Sequence, residues 1–164
     1  MGITNKRYSS KPETLEHIEN VSKAIIEICA HLVKRAEKHD ASKLKAPELK
    51  YFNKYTPLLK KMEYGSEGYK KSLEELKPAL DHHYRNNSHH PEHYRYGVDG
   101  MNLMDIIEMF CDWQAASKRT KNGSMLNSIN VSCKRFFIDN QLRQIFINTY
   151  RDIIQKGEQN AINR

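Results

Sequence analysis

No apolar run in these 164 residues approaches the roughly 18 that a membrane-spanning helix needs, so the chain is not expected to enter a bilayer. The opening segment, MGITNKRYSSKPE, lacks the apolar stretch of a secretory signal. Lys6 stands where a myristoylation signal carries Ser or Thr. Cysteine is scarce as well: Cys29, Cys111 and Cys133 are odd in number and show no CxxC spacing, which excludes a disulfide framework and a thiolate zinc site. These absences predict a cytoplasmic protein with reduced, mostly buried thiols. There is also no internal repeat, no low-complexity block and no linker long enough to divide the chain. One helical domain over residues 1–164 is therefore expected, with loose ends at 1–9 and 157–164.

What is present is charge. The net charge is +7, from 27 basic against 20 acidic residues, and only 38% of residues are hydrophobic. A basic balance favours anionic partners such as nucleotides and phosphorylated metabolites. The clusters Lys118-Arg119-Thr120-Lys121 and Lys134-Arg135 lack interleaved aromatics, so nucleic acid is possible but not favoured as a partner. Oligomeric state is not readable.

The patterning is helical almost throughout. Ser10-Lys11-Pro12-Glu13 has the form of a capping box with Pro in the first turn. It opens a helix to about Lys38 whose Leu15, Ile18, Val21, Ile25, Ile28, Leu32 and Ala36 recur at helical spacing and are expected to face the core. A second helix is predicted from about Pro47 to Lys60, ended or kinked by Pro57. A turn at Tyr64-Gly65-Ser66 precedes a third, through Leu73, Leu76 and Leu80, that Pro78 distorts near its end. Asn86 to Gly100 reads as an irregular loop, unusually long for a structure without a job for it. A strong helix from Asn102 to Lys118 follows, then a loop around Lys121 to Ser124. One or two further helices end with Leu142, Ile145, Phe146, Tyr150, Ile153 and Ile154. The fold class is all-α, a bundle of about five to seven helices.

Within that frame the histidines are not scattered. Five of eight lie in the run DHHYRNNSHHPEHY, Asp81 to Tyr94: His82, His83, His89, His90 and His93. Imidazole and carboxylate together suit zinc, iron, manganese and related ions. His39-Asp40 lies upstream, at the expected end of the first helix, where adjacent side chains can converge on one ion and the Asp can bridge two. Downstream, Asp105, Glu108 and Asp112 are spaced three and four apart and share one helix stripe, with Asp112 favoured as a ligand and Glu108 as its support or alternative. Lys43, three residues after the pair, can neutralise charge on a phosphoryl oxygen. Asn87, Tyr94 and Arg95 are candidates for substrate contacts, and Arg119 for a bidentate phosphate contact.

His39-Asp40 with Lys43, followed by an aspartate within a later helix, resembles the HD-domain superfamily of metal-dependent phosphohydrolases. The motifs His-Asp-x-Ser-Lys-Leu, His-His-Tyr, Asn-x-His-His-Pro-Glu-His-Tyr and Glu-Met-x-x-Asp-Trp are similar, over nearly the whole chain, to an uncharacterised domain family of phage and bacterial genomes. The superfamily resemblance implies an HD-like fold and the metal ligands His17, His39, Asp40, His83, His90 and Asp112, with His89 or His82 as neighbouring alternatives. Asp40 and Lys43 would be catalytic. His89-His90 with Glu92 is similar to the His-His-Glu of the cyclic-dinucleotide branch, whose Gly-Tyr-Pro is absent here. His17 is awkward: in one unbroken helix it would lie about 33 Å from His39, with His31 nearer at about 12 Å.

The expectation is a hydrolase of a nucleotide, cyclic nucleotide or related phosphoester, using one or two divalent ions (Mn, Fe, Zn, Co or Ni). In a phage setting it would work in the host cytoplasm. A di-iron oxygenase of the same superfamily and a non-catalytic module that binds an anion or a protein are the alternatives.

Overall fold

A computed structural model describes residues 8–63, 66–119 and 123–157, and every regular element among them is helical, with no strand. The chain falls into two compact units, Met1–Glu37 and Lys38–Arg164. Tyr64, Gly65, Lys121 and nearly all of the expected loose ends lie outside the described residues.

The first unit is one helix, α1 (Lys11–Ala36), with Pro in its first turn. Ser10 does not form the expected capping box. Its backbone is helical (φ −78°, ψ 0°), not extended, so its hydroxyl is not aimed at the free N–H groups of the first turn. The expected core face is also not a core: α1 buries no residue, and Leu15, Ile18, Val21, Ile25 and Ile28 are 41–56% exposed. The period correctly marks a helix, but a single helix has nothing within its own unit against which to bury a stripe.

The second unit holds α2 (Glu48–Leu59), α3 (Glu67–Asn86), α4 (Leu103–Ser117), α5 (Met125–Arg135) and α6 (Asn140–Thr149), the last running on into a π-helical turn over Tyr150–Gln155. Three short 3₁₀ turns, Ala41–Leu44, Pro91–His93 and Gly97–Gly100, occupy the connections. Two apolar clusters form. Met109, Phe110, Met125, Ile129, Cys133, Phe146 and Ile147 join α4, α5 and α6, with Phe110 stacked on Phe146 at 5.5 Å and Trp113 edge-on to the same ring. Tyr55, Leu76 and Ala79 join α2 and α3. Each large side chain so buried contributes about 1.5–3 kcal/mol. Of the three cysteines, Cys133 alone is buried, because it alone falls on a core-facing position; Cys29 and Cys111 are exposed, against expectation.

α3 runs on past Pro78 to Asn86, where the irregular loop was expected to begin. Ser72, Leu76, Ala79 and His83 form one buried stripe at helical spacing, and packing along it outweighs the single N–H that Pro78 lacks. His83 is thus carried into the interior on the apolar face of a helix.

The histidine loop between α3 and α4 is fastened at its far end by Asp105, which is fully buried. Asp105 accepts from Ser88 Oγ at 2.6 Å, from Tyr94 Oη at 2.7 Å and from the backbone N–H of Asn102 at 3.0 Å. The last bond belongs to a capping box with Asn102 that starts α4. Gly100 lets Tyr94 reach this position: a Cβ there would lie 2.8 Å from Tyr94 Cβ and 2.9 Å from its Cδ1. Gly100→Ala should therefore push the tyrosine off Asp105 and destabilise the protein by about 1–3 kcal/mol, the usual magnitude of overpacking. Thermal unfolding of the two proteins measures this, and an unchanged midpoint would contradict the role given to Gly100.

Candidate metal centre

The start of the loop that precedes α2 brings the His-Asp pair inward. Asp40 is left-handed (φ 56°), a conformation that aspartate tolerates better than most residues, and it begins the 3₁₀ turn Ala41–Leu44. Its carboxylate is 17% exposed and stands amid four imidazoles. Oδ1 lies 3.1 Å from His83 Nε2 and 3.6 Å from His89 Nε2. His83 Nε2 is in turn 2.9 Å from His90 Nε2. Oδ2 lies 3.6 Å from His39 Nε2 and 2.5 Å from Lys43 Nζ. Asp112 Oδ1, on α4, is 3.8 Å from His39 Nε2.

The opposite ring nitrogens of three of these histidines meet carboxylates, one wholly buried and one mostly so. Glu48, wholly buried at the start of α2, accepts from His83 Nδ1 at 2.9 Å, from His82 Nδ1 at 2.7 Å and from Ser42 Oγ at 3.0 Å. Glu108 accepts from His39 Nδ1 at 2.8 Å and from His89 Nδ1 at 3.0 Å. A neutral imidazole that donates Nδ1–H keeps a lone pair on Nε2. The tautomers that these bonds assign therefore aim the Nε2 lone pairs of His83 and His89 at Asp40 Oδ1. Among the described residues, Asp40 Oδ1 and His89 Nε2 are buried without a hydrogen-bond partner. A convergence of lone pairs on one point is repulsive, and a cation between them removes the repulsion.

The dimensions fit such a cation. Bonds of about 2.0–2.2 Å in a tetrahedral site separate neighbouring donors by roughly 3.4 Å. Asp40, His83, His89 and His90 each offer an atom within 4.8 Å of the others, as do His39, Asp40 and Asp112. The third such group, His39, His89 and Glu108, is better explained by the two Nδ1–H bonds to Glu108, which orient the rings.

Electrostatics agree with this. Burial alone would raise the Asp40 carboxyl, but its charged and hydrogen-bonding neighbours, the Lys43 ammonium on Oδ2 among them, outweigh it and hold the group below the usual carboxylate range. His90 is pushed down from 6.5 to about 3, first by burial and then by His89 and His83, so its ring is neutral and able to ligate near neutral pH.

The remaining candidates lie elsewhere. His17 and His31 are exposed on α1, in the first unit, and neither joins a ligand group among the described residues. α1 has no break along Lys11–Ala36, so no kink shortens the path from His17 to the helix end. His82 meets the centre only through Glu48. His93 Nδ1 bonds the carbonyl of Tyr84 at 2.8 Å and is exposed. Asn87 is a clasp, its amide donating to Ser42 Oγ at 2.9 Å and to the carbonyl of His83 at 2.8 Å. Tyr94 serves Asp105, and Arg119 is exposed beyond the end of α4. Glu48 is the residue that sequence reasoning passed over. Nothing in Ala46-Pro47-Glu48 marks this glutamate off from a solvated first-turn acid.

Fold and site thus define an all-α protein with a histidine–carboxylate cluster able to hold a metal ion. Residues 6–155 match the family model described as "Family of unknown function (DUF5662)", and the chain belongs to that family. No curated protein and no solved structure matches.

Two outcomes follow from this geometry. Glu48→Gln and Glu108→Gln should each weaken metal affinity about 10–100-fold, the usual effect of losing a carboxylate behind a ligating histidine, as read by competition with a chromophoric chelator. Unchanged affinity in both would refute the orienting role. The second outcome concerns pH. Between 6.5 and about 3 an unfolded His90 binds a proton that the folded one does not, so the metal-free protein should lose stability as pH falls through that window. Chemical denaturation at several pH values should show the loss, and His90→Asn should flatten it; equal slopes in the two proteins would contradict the assignment.

Proposed function

We propose that this protein is a metal-dependent phosphohydrolase of HD type, acting on a small anionic phosphoester, with a nucleotide or cyclic nucleotide as the class to test first. The observation that carries the reading is the meeting of Asp40 Oδ1 with the His83 and His89 Nε2 atoms, two of these three buried and unpartnered. A divalent ion bound there supplies a hydroxide at neutral pH and a Lewis acid for the phosphoryl group.

The chain's own residues divide the work by depth. His83 and His89, 1% and 2% exposed, form the rear wall, while His39, Asp112 and Lys43, 30%, 21% and 30% exposed, stand toward solvent. Substrate approaches on the solvent side, where the Lys43 ammonium meets a phosphoryl oxygen and offsets the charge that develops on it. Asp40 orients the attacking water by its fixed place between the imidazoles and Lys43. A net charge of +7 draws anions toward the protein as a whole.

The sharing of Asp40 between two ligand groups, one of them with His39 and Asp112, also favours the carboxylate-bridged pair that a di-iron oxygenase requires. One experiment separates the readings. Metal-free protein reloaded singly with Mn, Fe, Zn, Co or Ni is offered nitrophenyl phosphate mono- and diesters, nucleotides and cyclic nucleotides, with phosphate, alcohol and dioxygen followed together. Hydrolysis with at least one ion, abolished by chelation and lowered at least about 10³-fold in Asp40→Ala, is the expected result. Oxygen uptake confined to iron would favour the oxygenase. Anion binding that survives chelation without product would favour a non-catalytic module.

A further inference from the structure

Asp40 is placed to bridge two ions, yet one of its oxygens is already taken. The two ligand groups that share it use different atoms. His83 and His89 face Oδ1, while His39 faces Oδ2, with Asp112 next to His39. Lys43 Nζ sits 2.5 Å from Oδ2. The unpartnered buried atoms, Asp40 Oδ1 and His89 Nε2, both belong to the Oδ1 side.

The position of the ammonium follows from the backbone. Ala41–Leu44 is a 3₁₀ turn starting at Asp40, and at three residues per turn side chains at i and i+3 eclipse, so Lys43 is stacked over Asp40. The Phe52 ring, 5.5 Å from Nζ, flanks it on another side. A divalent ion on Oδ2 would have to share that oxygen with an ammonium at hydrogen-bonding distance, and the two cations would repel at short range in a half-buried setting. Among the described residues Asp40 Oδ1 has no hydrogen-bond partner, and on its side three imidazoles and one carboxylate oxygen complete a four-donor set.

We infer that the centre takes a single divalent ion, held by Asp40 Oδ1, His83, His89 and His90, and that the Lys43 ammonium stands in place of a second ion on Asp40 Oδ2. The inference rests on the metal-centre reading and fixes its ion count. His39 and Asp112, released from ligation, remain on the solvent side of the centre as polar groups for substrate or its leaving group. The bound ion and the ammonium then act as an unequal pair of cations on one phosphoryl group.

The test is ion stoichiometry in metal-free protein titrated with Zn²⁺ or Mn²⁺, read by calorimetry and native mass spectrometry. Wild type should bind one ion, and Lys43→Arg, which keeps the cation, should also bind one. Lys43→Met should bind two, and adding Asp112→Asn to it should return the count to one; circular dichroism checks that each variant folds. Two ions in wild type, or one in a folded Lys43→Met, would overturn the inference and leave the metal centre standing. No binding by any of these proteins would overturn both.

Discussion

Lone pairs aimed at one point are the constraint from which the rest of this site follows. Asp40 Oδ1 and the Nε2 atoms of His83 and His89 cannot be held so close by one another; something else must keep them there. Glu48 and Glu108 do this from behind by fixing which nitrogen of His83 and His89, and of His39 beside them, carries the proton. Glu48 is wholly buried and Glu108 nearly so, and burying a carboxylate is costly without charged or hydrogen-bonding partners. Their partners are the histidines themselves. Orientation of the rings and tolerance of the buried acids are thus one arrangement seen from two sides.

Three helices of the second unit supply pieces of the site. α3 carries His83 inward on a stripe with Leu76 and Ala79, α2 presents Glu48 from its first residue, and α4 presents Glu108 and Asp112 from the face that also carries Asp105. Asp105 fastens the loop that bears His89 and His90, so apolar packing of α4 on α5 and α6 is transmitted to these imidazoles through two short hydrogen bonds. The loop is long because it must leave α3, turn two imidazoles back toward it, and reach the cap of α4.

The parts of this arrangement that follow from local chemistry were legible in the sequence. Helical periodicity, the turn residues between Asn86 and Gly100, and the three-and-four spacing of Asp105, Glu108 and Asp112 are properties of short segments. The eclipsing of Asp40 and Lys43 was not legible, because its backbone cause is a left-handed aspartate before a 3₁₀ turn. Glu48 was illegible because its role depends on α2 packing on α3, a relation between distant segments. Asp105 was read as one member of an acidic stripe when its job is to cap a helix and pin a loop. α1 shows the opposite failure: its periodic stripe fixed the helix type but carried no information about what, if anything, covers it.

The most direct test of the central claim is a crystal structure of the metal-reconstituted protein with anomalous diffraction at the absorption edge of the bound ion. The account predicts one strong peak bonded to Asp40 Oδ1 and to the Nε2 atoms of His83, His89 and His90 at about 2.0–2.2 Å, with Lys43 still on Asp40 Oδ2. A peak bound by other residues, or no peak at the Asp40 cluster in protein soaked to saturation, would contradict it.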